Sequence, residues 1–154
     1  SSDLARDLSV AIEEVRYGIL ELRHELPSGL QIELFEAARP LVDASGIEFD
    51  AHVEGDVEFD DAIRSNVRSV VREAVSNAVR HGHAHRVTVT VQRRGYHVDV
   101  VITDDGIGFA PESVFSGGVR NMRERAERLG GTLDLFSGLR GTTVTWSVPL
   151  PVGQ

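Results

Sequence analysis

The sequence of 154 residues contains no cysteine and no lysine. Without cysteine the chain has neither a disulfide framework nor a thiolate metal site, which fits a reducing compartment. Without lysine it has neither the lysine of a phosphate-binding P-loop nor a lysine that forms a Schiff base. One large class of nucleotide-binding enzymes is therefore excluded, and all 16 basic residues are arginine.

Long hydrophobic runs are also missing. No apolar stretch approaches the roughly 20 residues that a bilayer-spanning helix needs, and Ser1-Ser2-Asp3 does not resemble a signal peptide. We therefore expect a cytoplasmic chain without membrane contact. The acidic balance, with a net charge of −8 and an isoelectric point near 5.2, argues against general binding to nucleic acid.

Charge is divided unevenly along the chain. Residues 1–63 carry 16 acidic residues and 4 arginines, a net charge of −12. Residues 64–154 carry 8 acidic residues and 12 arginines, a net charge of +4. The second part can therefore tolerate an anionic ligand, although two solvated surfaces of opposite sign would give the same asymmetry.

The first 28 residues predict a separate helical segment. Apolar residues recur from Leu4 to Leu26 in steps of three and four and form one narrow stripe of a long helix. Such a stripe is typical of one strand of a dimeric bundle, although packing on the chain's own domain would also explain it. Pro27 breaks the helix, so we place a domain boundary between residues 1–28 and 29–154.

The remaining chain alternates helices and strands. Apolar periodicity predicts three helices, at residues 30–44, 61–80 and 118–129. Pro40 is expected to kink or split the first, and Asp60 or Asp61 to cap the second. Alternating apolar residues, with Trp146 among the core positions, predict five strands, at 47–53, 86–92, 96–103, 132–136 and 142–148. This order predicts an α+β fold, a two-layer sandwich of a mixed sheet with helices on one face.

One polar motif follows a predicted strand. Asp104 and Asp105 precede Gly106 and Gly108, where an ordinary turn needs only one acid and one glycine. A carboxylate at a strand end, beside glycines that let another molecule approach the backbone, suits recognition of a flat polar ligand edge. Ordinary hairpin chemistry would explain an Asp-Gly pair equally well.

A second polar motif lies on the long predicted helix. Glu73, Asn77 and His81 recur every four residues and share one stripe of its surface. An amide oxygen and a carboxylate one turn apart suit a hard cation such as Mg²⁺, which takes few protein ligands. Solvent exposure of the stripe is the alternative. We do not expect zinc at His81, His83 and His85, since a loop leaving a helix seldom turns three alternate side chains to one ion.

Four segments together resemble the motifs of the GHKL ATPases, in order and approximate spacing. They are REAVSNAVRH at 72–81, TDDGIGF at 103–109, SGGVRNMRERAERLGG at 116–131 and GTTVTWSVPL at 141–150. Residues 30–150 resemble the ATP-binding domain of bacterial sensor histidine kinases of the NarX/DevS type. On this resemblance, residues 1–28 are the C-terminal part of a dimerisation helix and 29–154 the catalytic domain.

The resemblance implies roles for individual residues. Asn77 matches a Mg²⁺ ligand, and Glu73 matches the acid that acts as a base or orients one. Asp104 matches the acid that accepts a hydrogen bond from the adenine amino group, whereas Asp105 is expected to be turn chemistry. The remaining matched residues surround the nucleotide: Arg80, His81, Gly117, Gly118 and Val119 near the phosphates, Gly106 and Gly108 beneath the purine and at the lid hinge, and Thr142 near the adenine.

ATP and Mg²⁺ are then the expected ligands. In the intact kinase, a homodimer, the γ-phosphoryl group passes to a histidine on the dimerisation and phosphoacceptor helices and then to an aspartate of a response regulator. The family's acceptor motif, Arg-Asp-Leu-His-Asp, is not matched, because the similar run Arg6-Asp7-Leu8-Ser9 has serine in place of histidine. We therefore expect this chain to bind nucleotide without phosphorylating itself.

Two other functions fit the same motifs. A serine kinase of the anti-sigma-factor type shares the fold but binds a sigma factor. The heptad-like first helix and the run MRERAERLGG favour the histidine-kinase branch over it. A degenerate, non-catalytic interaction domain would also keep the fold, but Glu73, Asn77, Asp104 and Gly106 are all present.

Overall fold

The computed structural model describes residues 29–55, 59–108 and 117–151. The predicted dimerisation helix at residues 1–28 and residues 109–116, which follow the predicted lid hinge, lie outside these ranges. The described elements are α1 (Gly29–Ser45), β1 (Glu48–Glu54), α2 (Asp61–Arg80), β2 (Arg86–Arg94), β3 (His97–Asp104), α3 (Gly117–Arg128), β4 (Thr132–Gly138) and β5 (Gly141–Pro149). Their order is the predicted one.

Helix α1 continues through Pro40, so the expected split does not occur. Its buried residues recur every four positions: Leu30, Leu34 and Ala38. Burial of this stripe holds the helix together although proline lacks a backbone donor. Glu33 also accepts a hydrogen bond from Arg64 Nε at 3.0 Å, which ties α1 to α2.

Helix α2 forms the centre of the helical layer. Of the two acids predicted as caps, Asp60 is the N-cap, and its Oδ1 accepts from the Ile63 N–H at 2.9 Å. The helix ends at His81, whose N–H donates to the Asn77 carbonyl at 2.9 Å. No helix in the described part of the chain is long and apolar enough to cross a membrane.

Five strands form one mixed sheet in the order β1-β2-β3-β5-β4. The β1 and β2 strands pair in parallel, and the other neighbours pair antiparallel. Strand β2 ends at Arg94 and β3 begins at His97, so the turn between them consists of Gly95 (φ +60°) and Tyr96. It is shorter than the gap of three residues between the predicted strands at 86–92 and 96–103. Alternate strand residues are buried beneath the helices, as the period of two predicts.

The pairing of β3 with β5 places the site. Val98, Val100 and Ile102 are buried beneath the helices, and Asp104 continues the same alternation at the end of β3. Opposite it in the register lies Thr142, which begins the buried column of β5 that continues through Val144, Trp146 and Val148. Two polar side chains therefore meet where the apolar core ends.

Candidate functional site

The predicted site residues fall into two groups at the boundary between the sheet and the helices. We call Asp104, Gly106, Gly108 and Thr142 the strand-end group. We call Glu73, Asn77, Arg80, His81, Gly117, Gly118 and Val119 the helix group. Different helices and strands form the two groups. The groups also differ in how many of their polar atoms have hydrogen-bond partners.

Asp104 is the centre of the strand-end group. Its Oδ1 accepts hydrogen bonds from the Gly106 N–H at 2.9 Å and the Thr142 N–H at 3.3 Å. Burial raises the pKa of the Asp104 carboxyl, and these two hydrogen bonds oppose the rise. Both bonds engage Oδ1, and within the described residues Oδ2 accepts none. The second carboxylate oxygen is therefore available to a donor on a ligand.

Thr142 supplies a hydroxyl beside this carboxylate. Its side chain is buried, and its Oγ1 lies 3.1 Å from Ser137 Oγ. The sequence motifs did not single out Ser137. Counting residues back across the turn at Leu139 and Arg140 would have found it, because the hairpin register pairs Ser137 with Thr142.

The two glycines of this group lie against backbone. A Cβ atom on Gly106 would overlap the carbonyl oxygen of Gly82, which accepts from the Ile107 N–H at 2.8 Å. Gly108 has a φ of +83°, and a Cβ there would lie 2.5 Å from the Gly138 carbonyl oxygen. Both positions thus require glycine for packing. Gly82 is a second residue that the motif analysis missed.

Asp105 differs from Asp104 although the two are adjacent. Its Oδ1 accepts from the N–H groups of His85 at 2.8 Å and Arg86 at 2.9 Å. The hydrogen bond from Arg86, followed by that from His85, holds the pKa of the Asp105 carboxyl below its usual value. This carboxylate serves the backbone, as expected, and it fastens the loop to the start of β2.

The helix group is centred on the contact between α2 and the start of α3. A Cβ on Gly118 would lie 2.7 Å from Glu73 Oε2 and 3.3 Å from Asn77 Oδ1. Gly117, one residue earlier, would meet no atom within 4 Å. The Val119 side chain is buried, so its backbone N–H is the group it can offer a ligand. The first N–H groups of a helix lack intrahelical acceptors and favour anions.

Asn77 is buried, and its Nδ2 has no hydrogen-bond partner among the described residues. A buried amide without a partner costs free energy, and a ligand that supplies the partner removes that cost. Gly118 packs beside this amide, since a Cβ at that position would lie 3.4 Å from Asn77 Nδ2. The arrangement therefore favours a bound state over the empty site.

The donor set fits Mg²⁺. Within residues 29–55, 59–108 and 117–151, no three His, Asp or Glu side chains gather to hold a metal ion. Mg²⁺ retains most of its waters and needs only one or two protein oxygens. Asn77 Oδ1 can supply an amide oxygen to the ion, and the Glu73 carboxylate lies one turn away, both beside Gly118.

Arg80 and His81 lie at the end of α2. Arg80 is exposed and lines a groove of about 460 Å³ between α1 and α2, together with Glu73 of α2 and Arg125 of α3. Asn77 and Gly118 are not among the residues that line this groove. His81 is the exposed C-cap of α2. The structure thus places Arg80 and Glu73 on one groove.

Comparison with known proteins shows the class of this domain. The family described as histidine kinase-, DNA gyrase B-, and HSP90-like ATPase matches residues 62–152, more than half of the chain. The match contains all four motif segments and every residue of both groups. It supports the GHKL resemblance found in the sequence.

Similar sequences include a known histidine kinase. The signal transduction histidine-protein kinase/phosphatase UhpB of Salmonella typhimurium (strain LT2) is 42% identical over 72 residues. This stretch covers 46% of the present chain and 14% of UhpB. The chain therefore matches only a small part of that relative.

Solved structures share the fold. The ATP-binding domain of PrrB from Mycobacterium tuberculosis has a TM-score of 0.62 at 24% identity, over 83% of this chain and 98% of that one. The histidine kinase domain from the Erythrobacter litoralis EL346 blue-light activated histidine kinase has a TM-score of 0.65 at 23% identity, over 79% of this chain and 61% of that one. These likenesses confirm the predicted α+β sandwich.

Proposed function

We propose a function from one premise: this chain belongs to the family of histidine kinase-, DNA gyrase B- and HSP90-like ATPases. Within this family we propose that it is the ATP-binding catalytic domain of a two-component sensor histidine kinase of the NarX/DevS type. It binds Mg-ATP and supplies the γ-phosphoryl group to a histidine outside this chain, from which a response regulator receives it. The identity to UhpB supports this branch of the family.

The observation that carries the proposal is the approach of α3 to α2. A Cβ on Gly118 would lie 2.7 Å from Glu73 Oε2, and beside it lies Asn77, whose Nδ2 has no hydrogen-bond partner among the described residues. A helix start, a carboxylate and an amide that meet at one point suit the phosphates and cation of Mg-ATP. A fold kept only for protein docking does not need this combination.

The strand-end group is assigned to the adenine. Asp104 Oδ2 accepts from the exocyclic amino group, and a carboxylate in a half-buried site accepts strongly from such a donor. The hydroxyls of Thr142 and Ser137 lie beside it. Gly106 and Gly108 are assigned to the backbone beneath the purine, which their packing against Gly82 and Gly138 holds in place.

The helix group is assigned to the phosphates. The first N–H groups of α3, at Gly118 and Val119, and the Arg80 guanidinium offset negative charge, while Asn77 holds the cation. His81 is placed near the same phosphates. When bound, Mg²⁺ neutralises phosphate charge and helps to align the transferred group. Glu73 lies next to the position of the γ-phosphoryl group, where it orients or deprotonates the acceptor.

Domain boundaries and partners complete the proposal. Residues 1–28 are the C-terminal part of a dimerisation helix, and residues 29–154 are the catalytic domain. The intact kinase is a homodimer whose catalytic domain lies in the cytoplasm, and the acceptor histidine is carried by its helical domain. Membrane contact and nucleic acid have no part in this function.

The test is phosphoryl transfer in trans. The protein is mixed with γ-labelled Mg-ATP and a separate helical domain of a NarX/DevS-type kinase that carries an acceptor histidine. We expect acid-labile label on that histidine, and we expect Glu73→Gln to lower transfer while nucleotide affinity stays within about two-fold, because Glu73 is assigned to the acceptor. Label found only on a protein serine would support a serine kinase instead. Absence of nucleotide binding would support a degenerate domain.

A further inference from the structure

The only tryptophan of the chain connects the sheet to α3. Trp146 is fully buried in the middle of β5, and its indole N–H donates to the Met122 carbonyl oxygen at 3.2 Å. That carbonyl lies inside α3, where it also serves the helix's own hydrogen bond from four residues later. The bond is therefore an added link between two elements that each satisfy their backbone without it.

Helix α3 has few other directional contacts. Its buried residues are Val119, Met122 and Ala126. Apolar contacts of this kind are not directional and hold a helix against a sheet without fixing its position along the axis. A second directional bond reaches α2, from Arg125 Nη1 to Asn66 Oδ1 at 3.2 Å. Among the described residues, the hydrogen bond from Trp146 is thus the side-chain hydrogen bond that joins α3 to the sheet.

The position of α3 matters because its first turn carries Gly118. A Cβ built on that glycine would lie 2.7 Å from Glu73 Oε2 and 3.3 Å from Asn77 Oδ1, so a small displacement of α3 changes how closely its first turn approaches these two side chains. Trp146 belongs to the same buried column of β5 as Thr142 of the strand-end group. Strand β5 is therefore linked to both ends of the site: through Thr142 to the strand-end group, and through Trp146 to α3.

We propose that Trp146 is a positioning residue for nucleotide binding: its indole N–H fixes α3 relative to β5, and so sets the separation between the phosphate contacts and the adenine contacts. The inference rests on the proposed function, because that function assigns the start of α3 to phosphate. Trp146 does not touch the nucleotide and acts through Met122.

The experiment compares two ligands. Trp146→Phe retains an aromatic side chain and removes the N–H. We expect the Kd for Mg-ATP, measured by calorimetry, to rise about 3- to 10-fold, the effect of a hydrogen bond of ordinary strength. The Kd for adenosine, which lacks phosphates, should change less than about two-fold. The ratio of the two affinities is the readout that a merely structural role does not move.

A matched control removes the effect of lost stability. Val89→Ala creates a cavity at a fully buried position of β2, away from α3 and β5. It should lower the melting temperature and leave the ratio of ATP to adenosine affinity unchanged. Equal weakening of both ligands by Trp146→Phe, or no weakening of either, would overturn the positioning role. If the unaltered protein binds neither ligand, the proposed function fails instead.

A second variant keeps the test sharp if phenylalanine disturbs the core. Because Trp146 is the only tryptophan, biosynthetic replacement by 3-benzothienylalanine alters that position alone. This analogue keeps the bicyclic shape and has sulfur in place of the N–H. It should reproduce the selective loss of ATP affinity, and an unchanged affinity ratio in a folded protein would refute the inference.

Discussion

The strand-end group and the helix group differ in how far their polar atoms are already satisfied. Asp104 Oδ1 accepts two backbone N–H bonds, and the Thr142 hydroxyl has Ser137 beside it. In the helix group, the buried Nδ2 of Asn77 has no partner in the described part of the chain. The first group is thus organised before a ligand arrives, and the second is completed by the ligand. Adenosine should therefore report on the first group, and the extra affinity of Mg-ATP on the second.

The largest expected effect comes from Asp104→Asn. The change leaves the two backbone hydrogen bonds an acceptor but removes the charge that receives the adenine amino group. We expect adenosine, ADP and ATP affinities to fall alike, by about 10- to 100-fold, the range for a hydrogen bond to a charged group. Calorimetric titration with the three ligands checks this, and a loss confined to ATP would show that the adenine is misplaced.

Asp105→Asn is the matched control for that variant. It makes the same change of charge one residue away, on a carboxylate that serves the His85 and Arg86 backbone. Nucleotide affinities should stay within about three-fold, since the loop is loosened but no ligand contact is lost. A loss as large as that of Asp104→Asn would mean that the two acids share the adenine contact.

Asn77→Ala tests the second group. Because it removes the proposed cation ligand, the Mg²⁺-dependent part of ATP affinity should disappear, a loss of about 10-fold. Adenosine affinity should not change. The empty protein should be as stable as before or more stable, because the substitution removes a buried Nδ2 that has no partner among the described residues and introduces a good helix former. Titrations with Mg²⁺ and with EDTA, together with thermal unfolding, measure both outcomes, and a loss that persists in EDTA would contradict the assignment.

A smaller effect is expected from Gly118→Ala. Its new Cβ would lie 2.7 Å from Glu73 Oε2, a flexible side chain that can move aside without unfolding the protein. ATP affinity should fall about 5-fold and adenosine affinity should not, as expected for a local steric conflict. Gly29→Ala is the control, because Gly29 also begins a helix and its Cβ would meet nothing within 4 Å. Equal effects of the two substitutions would point to helix propensity as the cause.

The smallest effect is on the pH dependence of the unfolding free energy, to which Asp104 and Asp105 should contribute in opposite directions. The pKa of Asp104 is raised from 3.8, so unfolding free energy decreases as pH rises through the interval between 3.8 and the folded value. The pKa of Asp105 is lowered from 3.8, so its contribution is present above 3.8 and is lost as pH falls through the folded value. Near neutral pH, Asp104→Asn should stabilise the empty protein and Asp105→Asn should destabilise it.

Near neutral pH, each substitution should change the unfolding free energy by about 0.5 to 1 kcal/mol, after allowance for solvent screening of Asp105. Urea unfolding at about pH 7 and about pH 3 measures them, and both differences should shrink at the lower pH. If both substitutions changed the unfolding free energy in the same direction, the partial burial of Asp104 would not raise its pKa as inferred.

Local patterns in the sequence predicted most of the fold. The stripe of α1, the Asp60 cap and the alternation in the strands depend on residues close in the chain, and the structure agrees with them to within a few residues. Of the two effects expected at Pro40, the structure rules out the split, because the packing of α1 outweighs the missing backbone donor. Its outcome depends on contacts that a local pattern does not contain.

The site was predicted through motifs, and residues outside the motifs were missed for a physical reason. Gly82 enters by its backbone carbonyl, and Ser137 by its place in a strand register, neither of which depends on side-chain type alone. The hydrogen bonds from Trp146 and Arg125 join segments distant in the chain. Such pairings are fixed by three-dimensional packing.

The packing of Gly106 and Gly108 against carbonyl oxygens has a consequence for drug resistance. Resistance commonly arises when a side chain that lines a pocket is exchanged for a bulkier one. At these two positions such an exchange would collide with the backbone of Gly82 and Gly138. An inhibitor that rests on these glycines and pairs with Asp104 would therefore leave the target few viable routes of escape.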